Sequence, residues 1–295
     1  MANDSTLAYP SPTPATLFPG LLALGQRLLR RPGLSLSALF VLLLFVTALI
    51  PEWISSADPL TGSARNAFRA PSAAHWLGTD ENGRDLAARL AHGVRPSLLL
   101  GFSATLVGLL GGIVFGLMAG LGPRWLDSIV TRFIDVLMAF PEILLALVVI
   151  TLWGQSLLNG IIAIGIGSVP RYARLIRAQM RQVSQAGYVE AAITLGSATP
   201  LIVLRHVLPN SIKPVILLAT IGIGHNIAIG ATLSFLGFGL PPPTPEWGAM
   251  LAAGRDFLSN AWWLVVVPGV AVTLTVISIT VIGRASMRYS EGKTP

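Results

Sequence analysis

No cysteine occurs in this 295-residue chain, which removes disulfides, thiol catalysis and thiolate metal sites. Charge is scarce as well. Only 11% of residues are Asp, Glu, Lys or Arg, where a soluble domain is about one quarter charged. So few charges cannot cover a water-facing surface. Catalytic motifs are missing too: there is no His-Glu-x-x-His and no Gly-x-Ser-x-Gly, the patterns of a zinc peptidase and a serine hydrolase. Gly292-Lys293-Thr294 has Met287 where a phosphate-binding loop needs its first glycine, so the chain lacks a nucleotide site of that kind. His75, His92, His206 and His225 form no close-spaced set, and no metal site is expected. These gaps argue against an enzyme.

What is present is apolar. Hydrophobic residues make up 53% of the chain and the mean hydropathy is +0.70. The net charge of +7 comes from 20 Lys and Arg against 13 acids, but these are spread out and make no basic face for nucleic acid. Lipid is the solvent this composition suits. Charge-poor windows of about twenty residues, the length that crosses a bilayer as a helix, fall at 34–50, 98–121, 129–153, 157–176, 215–236 and 262–282. Helices are required because lipid cannot satisfy backbone polar groups. The expectation is an all-α, polytopic transmembrane bundle of six spans.

The flanking segments complete the expected organisation: an N-terminal tail over 1–33, Ser-, Thr- and Pro-rich in its first twenty residues; an outer loop over 51–96; a five-span core over 97–283 with a long loop at about 177–213; and a tail over 284–295. Arg27, Arg30 and Arg31 precede the first span, and too many residues precede it for a cleaved signal peptide. With both termini cytoplasmic, fourteen Lys and Arg fall inside, against Arg65, Arg69, Arg84, Arg89, Arg95 and Arg255 outside. That is the direction positive-inside orientation demands. Within the second span, Gly108, Gly112, Gly116 and Gly120 repeat every four residues, a small-residue stripe that permits close helix packing.

The loop over 177–213 carries the most information. Gly187 to Gly196 reads as a short amphipathic helix closed by glycine. Thr199-Pro200 reads as the start of a second helix that stops near Pro209-Asn210. A helix–turn–helix of this length is expected to dock on a partner. Its residues Glu190, Ala191, Ala192, Gly196, Leu208 and Pro209 stand at the spacing of the cytoplasmic signature of permeases that pair with ATP-binding-cassette subunits. His206 departs from that pattern, which prefers an aliphatic residue.

Further motifs narrow the likeness. Gly78-Thr79-Asp80 and Gly83-Arg84-Asp85 in the first loop, Arg132, Asp135 and Pro141, then Leu233 to Gly239 and Pro245-Glu246-Trp247-Gly248 resemble the second permease of the dipeptide, oligopeptide and nickel importer branch. The C-terminal segment keeps basic residues but lacks the family's acids. The resemblance implies a type I, MetI-like fold and one half of a heterodimeric path for peptides across the bacterial inner membrane. Nickel or a metal chelate is an alternative cargo, and a secondary transporter is an alternative of another class. It also implies a second permease, two ATPase subunits and a periplasmic substrate-binding protein as partners, with ATP and magnesium used by the ATPases and no cofactor on this chain.

Three polar residues inside spans stand out as path candidates. Glu142 follows Pro141 within the third span, where a charge must face a bundle interior or water. It either meets a substrate amine or is paired structurally. His225, beside Asn226 in the fifth span, either lines the path or hydrogen-bonds another helix. Arg132 and Asp135, one turn apart, are expected to pair locally. Asp80 and Asp85 are expected to cap and brace a loop helix.

Overall fold

The computed structural model describes residues 32–290. Most of the tail expected over 1–33, and Gly292-Lys293-Thr294, lie outside them. Among the described residues there is no strand, only one antiparallel bridge between Thr79 and Asp85. The helices are α1 (Pro32–Leu49), α2 (Leu86–Leu121), α3 (Arg124–Ala139), α4 (Glu142–Trp153), α5 (Leu157–Ser184), α6 (Gly187–Thr194), α7 (Thr199–Ile202), α8 (Leu208–Leu233), α9 (Trp247–Gly254) and α10 (Trp263–Ser290). Four helices, α1, α2, α10 and the run from α7 through α8, are long and apolar enough to cross a membrane. A fifth span forms if α3 and α4 count as one. The sixth expected span is α5, long enough at 28 residues but carrying Arg171, Arg174, Arg177 and Arg181 in its second half.

Four boundaries differ from expectation. First, the third span is not continuous: α3 and α4 meet at 90°. Phe140 is extended, at φ −94° and ψ 138°, because a residue preceding proline is driven out of the helical region. Second, α2 begins at Leu86, so the end of the loop expected over 51–96 is already helical. Third, no helix stops at Pro209. The Leu208 N–H bonds Val203 O, five residues back, and this widened turn lets a residue without an N–H enter a helix that continues from Thr199 through Leu233. The N-cap of α7 is Ala198, with no side-chain cap, rather than Thr199. Fourth, α10 runs on to Ser290, through residues expected to be tail.

The most extensive contact joins α2 to α5, and the glycine stripe makes it. A Cβ at Gly112 would lie 2.3 Å from Tyr172 Cβ, and one at Gly116 2.7 Å from Ile176 Cβ. Only hydrogen fits there, so the two backbones approach closely. α8 packs on α2 and α10, and α4 on α5. Leucines of α1 such as Leu36, Leu42 and Leu49 are exposed, as suits a helix whose solvent is lipid.

Candidate functional site

Glu142 is the first residue of α4, placed there by the break at Pro141. Its carboxylate reaches across to α5 and α8. Oε2 accepts from Arg171 Nη2 at 2.7 Å and lies 2.9 Å from His225 Nε2. Oε1 accepts from the Ser168 hydroxyl at 2.8 Å. Gly167 makes room, since a Cβ there would stand 2.8 Å from Glu142 Cγ. Behind Ser168, fully buried Asn226 lies 3.1 Å from the Ser168 oxygen and 2.9 Å from the Thr105 hydroxyl. Ser168 has one proton for two acceptors. Asn226 Nδ2 donates to the Thr105 hydroxyl, which donates in turn to Gly101 O at 2.8 Å, and Ser168 divides its proton between Glu142 Oε1 and Asn226 Oδ1. Four helices are thereby joined through polar groups.

The three path candidates, Glu142, His225 and Asn226, thus form one cluster. Glu142 is paired, and His225 makes a contact between helices. The cluster is not sealed. The Glu142 side chain is 18% exposed, Arg171 35% and His225 43%. Ionisable groups at this depth do not face hydrocarbon, so the side of the chain that shows them meets protein or water.

From this cluster a ladder of ion pairs descends α5. Arg174 Nη2 donates to Asp135 Oδ1 at 2.7 Å, and Asp127 accepts from both Arg177 and Arg181. The local pair expected between Arg132 and Asp135 is replaced by this longer-range one, because α3 lies against α5 and turns Asp135 toward it.

The ladder ends beside α6. Val189 is buried with Ile176 and Met180 of α5 and with Ile202 and Val207, which seats the loop on the bundle. Gly196, at φ +76°, closes α6: its N–H bonds Ile193 O and that of Ser197 bonds Ala192 O, the paired bonds of a glycine-terminated helix. Glu190, Ala191, Gly196 and Pro209 are exposed, and Ala192 and Leu208 are half-buried. Around them Tyr188, Ile193, Leu195, Leu201 and Leu204 are exposed apolar side chains.

The family model described as "Binding-protein-dependent transport system inner membrane component" matches residues 112–294, more than half of the chain. The di/tripeptide transport system permease protein DppC of Pseudomonas aeruginosa is 39% identical over 288 residues, covering 96% of this chain and 92% of that protein. This chain belongs to that family of transport permeases. The dipeptide transport system permease DppC of Alkalihalophilus pseudofirmus is 38% identical, over 86% of this chain and 84% of its own length. Among solved structures, the MetNI methionine ABC transporter in inward-facing conformations superposes with a TM-score of 0.58 at 20% identity, over 68% of this chain and 95% of that one. The fold is therefore the MetI-like helical one, in a multi-pass membrane protein, and the secondary-transporter alternative is set aside. ATP in such importers is used by partner ATPases.

In this permease the first-loop motif is a clasp. Thr79 and Asp80 are buried. Asp80 Oδ1 accepts from the N–H groups of Asn82 and Arg84, at 2.9 and 2.8 Å. Asp85 caps α2 by accepting from Ala88 N at 2.9 Å and holds His75 at 2.9 Å. Trp263 Nε1 donates to Thr79 O at 3.1 Å, pinning the clasp to α10. Gly78 and Gly83 turn the chain at φ +83° and +72°. Nearby, buried Glu246 caps α9 by accepting from Gly248 N and Ala249 N at 2.9 and 3.2 Å. Burial pushes its carboxyl above the usual range, against those two amides.

The permease cluster also contains residues that sequence reasoning passed over: Arg171, Ser168 and Thr105. Arg171 counted only as one of the fourteen cytoplasmic cations. A signal was available, because a carboxylate inside a span needs a cation, and Arg171 directly follows the apolar stretch of α5 on the same helical face as Ser168.

Proposed function

We propose that this permease forms one half of a heterodimeric path that carries di- or oligopeptides across the bacterial inner membrane. It would be driven by two ATPase subunits and fed by a substrate-binding protein, with no catalysis by this chain itself. Both termini are cytoplasmic in this reading, the clasp around Gly78–Asp85 faces outward, and the α6 loop faces the ATPases. Glu142 and His225 line the path, and Asn226, fully buried behind Ser168, braces them from within the bundle. The observation that carries the proposal is the α6 loop. Val189 roots it in the bundle, while Glu190 and the apolar residues beside it stand free for a partner. The peptide-transport names of its relatives support the cargo.

Closure of the ATPases would displace α6, and α5 with its ladder would transmit that displacement to Glu142, an alternating-access scheme of packed elements sliding between two states. Glu190→Lys tests the docking. The protein is expected to remain in the membrane while transport is uncoupled from ATP hydrolysis. Normal pull-down of the ATPases together with normal transport sinks the assignment.

A further inference from the structure

We propose that Arg171 and Glu142 part to receive the two charged ends of a short peptide, the ammonium on Glu142 and the carboxylate on Arg171. This rests on the reading of the cluster as path lining and names what the path recognises there.

Three observations lead to it. First, the two oxygens of Glu142 are held differently. Oε1 is fixed by Ser168 and, through it, by buried Asn226 and Thr105. Oε2 carries Arg171 and His225, the more exposed members of the cluster. Exchange at Oε2 therefore leaves the carboxylate in place, with Ser168 and His225 still bound to it. Second, Arg171 gives Glu142 one nitrogen, Nη2, of a fork built to grip a carboxylate with two. A guanidinium cannot shed its charge, so once released from Glu142 it requires another anion. Third, charge conservation selects the ligand. An amine alone would free Arg171 into a low-dielectric setting without a partner, and an acid alone would strip Glu142 of its cation. Either leaves an uncompensated charge, the costly state at this depth. A ligand with both ends charged replaces one ion pair by two and brings in no net charge. Two residues span about 7 Å when extended, a gap that the flexible arginine stem can open.

The test uses the permease pair with its ATPases, purified without the binding protein so that this partner's own selectivity is absent. L-alanyl-L-alanine, its N-acetyl form and its C-amide form are titrated, with binding read by saturation-transfer NMR. In the native complex, blocking either end is expected to weaken binding by roughly tenfold or more. Glu142→Gln is expected to abolish the penalty for N-acetylation and Arg171→Gln the penalty for amidation. The double variant, which removes the pair as a neutral unit and so leaves no charge stranded, is expected to ignore both. Equal binding of all three ligands to the native complex, no binding of the dipeptide, or single variants that keep both preferences would overturn the proposal. His225→Cys in the assembled complex probes the path separately with a charged methanethiosulfonate. Absence of labelling defeats the path reading, whereas labelling with end-indifferent binding defeats only the assignment of the termini.

Discussion

Arg177 grips both carboxylate oxygens of Asp127, Nε on Oδ1 and Nη2 on Oδ2, and so ties the first turn of α3 to the end of α5. Arg181 shares Oδ2 from one turn further along. The two arginines are not equivalent. The Arg177 side chain is 23% exposed and that of Arg181 56%.

Asp127→Asn should therefore lower stability by about 1–3 kcal/mol, the scale of hydrogen bonds to a charged group. Arg181→Gln should cost less than about 1 kcal/mol, as for an exposed pair. Denaturant unfolding of the purified protein compares the two. Equal losses would show that the fork on Arg177 contributes nothing special.

The α2–α5 seam predicts opposite outcomes for two similar changes. At Gly112 an added methyl meets the Tyr172 Cβ at 2.3 Å, whereas at Gly160 its nearest neighbour is Leu100 Cδ1 at 3.6 Å. Gly112→Ala should destabilise by about 1–3 kcal/mol through overpacking. Gly160→Ala should be neutral, or stabilising by up to about 1 kcal/mol, because alanine is the better helix former. Thermal melts in detergent decide it, and a benign Gly112→Ala would show that the helices do not approach so closely.

Orientation is open to chemistry because the chain has no cysteine. Ala73→Cys and Thr244→Cys, both at exposed positions, should react with an impermeant thiol reagent added outside intact cells. Leu195→Cys, 86% exposed on the α6 loop, should react only after the membrane is opened. The reverse pattern refutes cytoplasmic termini.

Glu246 predicts a pH dependence. Its carboxyl titrates above the usual range in the folded state because it is buried, so folding favours the protonated form. That stabilisation is complete below the ordinary carboxylate pKa and is lost as pH rises through the raised value. Melting temperature measured across this window should fall with pH in the native protein and fall less in Glu246→Gln. Parallel curves would remove Glu246 as the source.

The membrane-spanning character, the small-residue stripe of α2 and the glycine stop at Gly196 were all determined by the sequence alone. Each depends on a residue and its immediate surroundings: apolar side chains against lipid, four-residue spacing on one helix, one backbone angle. Pro141 announced a special position in the same way, but not the 90° turn that follows it. The pairing of charges was decided by tertiary structure. Glu142 meets Arg171 across 29 residues, Asp135 meets Arg174 across 39, and Asp127 meets Arg177 across 50. Charge attracts without regard to sequence distance, so which arginine reaches which carboxylate depends on the helix faces that touch. Those faces are set by contacts such as Gly112 on Tyr172 and by the fold of α3 back against α5. A local rule therefore paired Asp135 with Arg132, and only the packed bundle assigns it to Arg174.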